Sequence, residues 1–103
     1  MIKKQYVKSR DVYKVVFEIP LNHLPDDVKV NTVTVVGDFN DWDETSTPLK
    51  KLKKGTYKTT VEIKNKGEYQ FRYLINGNIW VNDWAADDYR PGSHGEDNCI
   101  LRL

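Results

Sequence analysis

One cysteine, Cys99, stands among 103 residues, so no internal disulfide can form and a disulfide-stapled secreted scaffold is excluded. The Lys-rich start carries no apolar stretch of the export type, and a cytoplasmic setting is the resulting expectation. No apolar run approaches the roughly 18 residues that a bilayer-crossing helix needs. Charge of one sign is missing too. The 16 basic and 15 acidic side chains leave a net charge of +1, too weak a field to gather nucleic acid or anionic lipid. Any partner must be held by short-range contacts. The chain also lacks Gly-x-Ser-x-Gly, a phosphate loop, Gly-x-Gly-x-x-Gly, Cys-x-x-Cys and His-Glu-x-x-His, so no catalytic residue is expected. His23 and His94 lie far apart in sequence without further ligands at fitting spacing, and neither a metal nor a cofactor is expected. Asp83, Asp87 and Asp88 lack the spacing of a calcium loop and read as loop caps. As an acid and base for glycoside cleavage they would need a water-excluding cleft, which a small sandwich seldom provides.

What the chain does have is aromatic side chains, three Trp and six Tyr among them, and a period of two. Tyr13, Val15, Phe17 and Ile19 alternate with polar or smaller residues, as do Tyr57, Thr59, Val61 and Ile63. The clearest strand is 68–75, with Tyr69, Phe71, Tyr73 and Ile75 on one face and Gln70, Arg72 and Leu74 on the other. Asn76-Gly77 suits a type I′ hairpin turn and predicts 79–81 as the returning strand. Residues 22–30 read as a loop, as does the aperiodic stretch 82–98, and 99–103 reads as a last strand. Lys50, Lys51, Lys53 and Lys54 read either as a phosphate patch or, better at this net charge, as a solvated edge strand. Seven or so short strands and no helical segment predict an all-β fold, an antiparallel β-sandwich, with a small closed barrel as the alternative. One domain over residues 1–103 is expected, with 1–12 as a loose N-terminal edge segment.

The most distinctive stretch is 33–42. Val33, Val35 and Val36 favour a buried strand, Gly37 ends it, and Asp38, Asn40 and Asp41 predict a tight turn that sends Phe39 and Trp42 to different places. One ring can plug the core while the other faces out. A sugar ring offers a sheet of slightly positive C–H groups to the negative face of an indole, while its hydroxyls want amide, guanidinium and imidazole partners. Trp42, Trp80, Arg72, His94 and Asn98 include all of these types. Each also has a plainer reading: the two Trp as core, Arg72 in an ion pair with Glu68 or Glu62, and Asn98 as a turn residue.

Gly37-Asp-Phe-Asn-Asp-Trp42, Gly55-Thr-Tyr57, Glu68-Tyr-Gln-Phe-Arg-Tyr73, Asn76-Gly77, Trp80-x-Asn-Asp83 and Gly95-Glu-Asp-Asn98 occur in that order. Together they resemble the glycogen- and starch-binding early set domain of carbohydrate-binding module family 48. That domain is found at the N-terminus of isoamylases and branching enzymes and in the β subunit of AMP-activated protein kinase. The chain is similar above all to free-standing bacterial forms. The resemblance implies an immunoglobulin-like sandwich and a non-catalytic module that binds α-1,4-linked glucan. It places the sugar contacts on Trp42, Trp80, Arg72, His94 and Asn98. The kinase subunit has Lys where this chain has Arg72, which keeps the charge, and Leu where it has His94, which replaces an apolar wedge with an imidazole. Family members joined to enzymes can also serve only as packing surfaces, so the alternative is a domain that docks on a glucan-processing enzyme without binding sugar itself.

Overall fold

In the computed structural model, which describes residues 2–92 and 95–103, two antiparallel sheets face each other across an apolar core. The first sheet runs in the order β1 (Ile2–Val7), β2 (Val12–Ile19), β5 (Tyr57–Ile63), β4 (Lys50–Lys51). The second runs β3 (Val33–Gly37), β6 (Glu68–Ile75), β9 (Asp97–Arg102), β8 (Asp88–Pro91), and β7 (Ile79–Val81) pairs with β6. This is the immunoglobulin-like sandwich, not the barrel. Single 3₁₀ turns at Leu21–His23 and Asp38–Asn40 are the helical structure among the described residues.

The alternation of each strand decides what is sealed between the sheets. Val15, Phe17 and Ile19 from β2 and Tyr57 and Ile63 from β5 meet Val33, Val35, Phe71, Tyr73, Ile75, Cys99 and Leu101 from the second sheet. Phe17 is the hub. Its ring stacks on Phe39 at 5.4 Å and meets Phe71 edge-on at 5.2 Å and Tyr73 at 6.4 Å, the offset arrangements that aromatic quadrupoles favour. Phe39 is thus the ring of the 38–42 turn that plugs the core. Its chain neighbour Trp42 goes elsewhere.

The hairpin joining β6 to β7 turns at Asn76-Gly77, whose φ values of 54° and 74° are both positive, as a type I′ turn requires; the Asn78 N–H donates to the Ile75 carbonyl at 3.1 Å, and Ile75 pairs with Ile79. The Asn76 side chain also ties this tip to the 29–32 segment. Its Oδ1 accepts the Asn31 N–H at 2.7 Å and the Thr32 N–H at 3.2 Å, and its Nδ2 donates to the Lys29 carbonyl at 2.9 Å. The lysine-rich segment does lie at a sheet edge, with Lys50 opposite Lys58 on β5.

Two features depart from the sequence reading. The stretch 82–98 is not one long loop, because Asp88–Pro91 pairs with β9 as an edge strand. Apolar alternation is missing there because charge contributes to holding the strand. Arg102 bridges Glu68 and Asp88, each at 2.7 Å, and Arg90 reaches Glu68 at 2.6 Å. Hydrogen bonds from Arg90 and Arg102 hold the Glu68 carboxyl below its ordinary range. The second departure is that Leu74 and Ile100 are buried although they lie on the face of the second sheet turned away from the core, where Val36, whose burial the sequence predicts, joins them. Their cross-strand partners there are Arg72, Trp80 and Gln70. Long stems and a flat ring opposite these residues build a second apolar layer.

Phe71 is fully buried at the centre of the aromatic cluster, so Phe71→Ala should lower unfolding free energy by about 3–5 kcal/mol, read from urea titration. Cys99 is also fully buried, and burial pushes its thiol up to about 11. At pH 8 the native protein should therefore react with a thiol reagent only at the rate at which it opens, and rapidly once urea unfolds it.

Candidate functional site

Gly37 sets the geometry from which the site is built. A Cβ at this position would lie 2.5 Å from the Gln70 carbonyl oxygen and 2.7 Å from Phe71 Cβ, so only glycine lets β3 end this close to β6. The chain then reverses. The Asn40 side chain accepts the Gly37 N–H at 3.0 Å and donates to the Val35 carbonyl at 2.9 Å. Asp41 and Trp42 both adopt left-handed backbone angles, φ 57° and 56°, and the Trp42 N–H returns to the Gly37 carbonyl at 2.9 Å. Two consecutive non-glycine residues in this region are strained, and the turn's hydrogen bonds hold them there.

Asp38 then orients the Trp42 ring. Its Oδ1 accepts the indole N–H at 2.8 Å, while Oδ2 accepts the backbone N–H of Gln70 at 2.7 Å. One carboxylate therefore couples the turn to β6 and fixes the indole edge.

From the other side, Trp80 stands on β7 opposite Leu74 of β6, two residues along from Arg72 and on the same face. The Arg72 guanidinium carbon lies 5.7 Å from the centre of the Trp80 ring, a cation–π distance. Arg72 is well fixed. Its Nε donates to Asn82 Oδ1 at 2.8 Å and its Nη1 pairs with Glu96 at 2.9 Å, so its ion partner is Glu96. Glu68 is engaged with Arg90 and Arg102, and Glu62 with Arg10. Asn82 in turn donates to the Asp97 carbonyl at 3.0 Å, and Asn98 donates to Gln70 Oε1 at 2.9 Å.

These groups converge on one open cleft of about 650 Å³ lined by Trp42, Glu44, Arg72, Trp80, Gly92, Glu96 and Asn98. Of the five residues singled out from the sequence, Trp42, Arg72, Trp80 and Asn98 meet in it. Both indoles are half-buried: neither is sealed in the core, and the two face the same cavity. The fifth, His94, lies outside the described residues. Asp38, Asn82, Gln70 and Glu96 were missed, yet the period of two carries part of the signal, since Gln70 and Asn82 share their strand faces with Arg72 and Trp80. Gly92 has a spatial reason to be glycine: a Cβ there would sit 2.9 Å from the Glu96 carbonyl oxygen and 3.0 Å from Asn98 Nδ2.

Two flat aromatic faces with fixed donors and acceptors at their margin can take a ligand that is apolar on its faces and hydroxylated on its rim. The family model for carbohydrate-binding module 48, the isoamylase N-terminal domain, matches residues 29–90, more than half of the chain. The chain belongs to this family. The matched segment holds Trp42, Arg72 and Trp80, while Asn98 lies beyond it. A comparison with curated proteins returns no match. In the family's terms the chain is a carbohydrate-binding module.

If Asp38 orients Trp42, then Asp38→Ala should free the indole. In a background carrying Trp80→Phe and Trp84→Phe, the remaining Trp42 fluorescence should become more open to acrylamide quenching. Stability should fall by about 1–2 kcal/mol, since the Gln70 N–H loses its acceptor as well.

Proposed function

We propose that the cleft holds an α-1,4-linked glucan, whether glycogen, starch or a maltooligosaccharide, with sugar rings stacked on Trp42 and Trp80. On this reading the chain acts as one non-catalytic module across residues 1–103. Arg72 and Asn98 take sugar hydroxyls at the margin, and His94 supplies a further polar contact. The observation that carries the reading is the meeting of two indoles, 38 positions apart in the chain, in a single open cleft beside a guanidinium and an amide. Membership of a carbohydrate-binding family supports it.

The chemistry asked of each residue follows from its setting. An indole whose edge is pinned, as Trp42 is by Asp38, loses little further freedom when a ring settles on it. Arg72 is already oriented by Asn82 and Glu96, so its hydrogen bonds to a hydroxyl need no rearrangement. An open cleft leaves part of the sugar wet. Affinity should accordingly be modest, with Kd in the micromolar to millimolar range, about −8 to −4 kcal/mol.

Titration with maltoheptaose, followed by calorimetry and by tryptophan fluorescence, tests the reading. Binding should be saturable, and Trp80→Ala should weaken it at least about tenfold while the protein keeps its far-UV spectrum and cooperative unfolding. No response at millimolar sugar would remove the glucan assignment. Capture of a glucan-processing enzyme with flat sugar titrations would replace it by the docking alternative.

A further inference from the structure

Trp84 is 70% exposed, more than any other large apolar side chain among the described residues, and the cleft does not use it. It is nevertheless not a loose surface ring. Asp83, just before it, is buried and heavily bonded. Its N–H donates to Cys99 Sγ at 3.2 Å, its Oδ1 accepts the Ala85 N–H at 2.7 Å, its Oδ2 accepts the Tyr73 hydroxyl at 2.7 Å, and its carbonyl accepts the Tyr89 hydroxyl. Burial, with the Asp83 carboxylate beside it, pushes the Tyr73 hydroxyl well above its ordinary value and keeps it a donor. The backbone from which Trp84 projects is therefore tied into the core.

One face of the Trp84 ring is backed as well. The His23 imidazole, from the 3₁₀ turn that follows β2, stacks on it with centroids 3.7 Å apart and planes 23° from parallel. A ring anchored at its base and covered on one side offers a single flat apolar face to water. Such a face has already lost the freedom that a mobile side chain would lose on binding.

The surroundings favour a hydroxylated ligand over an apolar protein surface. Glu18, His23 and Asn82 are the half-exposed polar groups at the shallow depression beside the ring, next to Ile19 and Val81. An apolar partner pressed here would desolvate these groups without offering them hydrogen bonds, whereas a sugar ring brings a C–H face for the indole and hydroxyls for its rim. One side chain links the position to the cleft. Asn82 accepts from Arg72 in the cleft and also lines the depression beside Trp84. Trp84 lies four positions beyond Trp80, a backbone reach of at most about 14 Å, which a few sugar rings can span.

We propose that Trp84, backed by His23, is a third stacking platform for the glucan, engaged only by chains long enough to reach it from Trp80. This rests on the glucan reading of the cleft, and sugar length separates the two. Kd values for maltotriose, maltoheptaose and glycogen are measured by calorimetry for the native chain, Trp80→Ala, Trp84→Ala and Trp84→Phe, with urea midpoints recorded for each. The expected result is that Trp84→Ala binds maltotriose like the native chain but binds maltoheptaose and glycogen about three- to tenfold more weakly, while Trp84→Phe recovers most of the difference. Trp80→Ala should lose affinity at every length.

A Trp84→Ala protein indistinguishable from the native chain at all three lengths overturns the third platform and leaves the cleft standing. Failure of the native chain to bind any of the sugars overturns both. If sedimentation shows a native dimer that Trp84→Ala dissociates, with sugar affinities unchanged, the face belongs to a second copy and the proposal falls.

Discussion

The obligatory alternation of side chains along β6 is the constraint on which the rest of the molecule depends. Tyr69, Phe71, Tyr73 and Ile75 must enter the core, so Gln70, Arg72 and Leu74 must leave it, and a slip of one residue would exchange the two sets. The strand is also paired with β3, β9 and β7 at once, so the three neighbours inherit its register. The energy of core packing thereby decides where the guanidinium of Arg72 stands relative to Trp80. Site geometry and fold stability have one origin here.

The cleft inherits rigidity from that arrangement in a second way. Its polar groups are held by one another before any ligand arrives: Arg72 by Asn82 and Glu96, Asn98 by Gln70, and Trp42 by Asp38. Beneath them Val36, Leu74 and Ile100 form an apolar floor on the outer face of the sheet. Charged and amide groups laid over such a floor are shielded on one side from water, which strengthens their mutual hydrogen bonds. Glu96 remains mostly exposed, so the Arg72 ion pair contributes orientation more than stability.

The strongly periodic strands were legible in the sequence, because burial of one face imposes a period of two that polar substitution cannot hide. The Asn76-Gly77 hairpin was legible for a conformational reason, since few residue pairs tolerate two successive positive φ angles. The division of labour between Phe39 and Trp42 followed from turn chemistry. By contrast β8 was not legible, because an edge strand supported by Arg90, Arg102 and their carboxylates leaves no apolar rhythm. The outer apolar layer was hidden for a related reason: Leu74 reads as a lone exposed leucine until the partners opposite it are known. The choice of Glu96 over Glu68 or Glu62 as the partner of Arg72 depends on where a loop returns in space, which spacing along the chain does not encode.

The engagement of Asn76 also bears on how the protein ages. An asparagine followed by glycine is open to deamidation, in which the next backbone nitrogen attacks the side-chain amide carbon and expels ammonia. Here that amide is held at both its oxygen and its nitrogen by the Lys29, Asn31 and Thr32 backbone. Rotation into the attacking geometry requires breaking all three bonds, so the pair that turns the β6–β7 hairpin is also guarded against the chemical lesion its sequence invites.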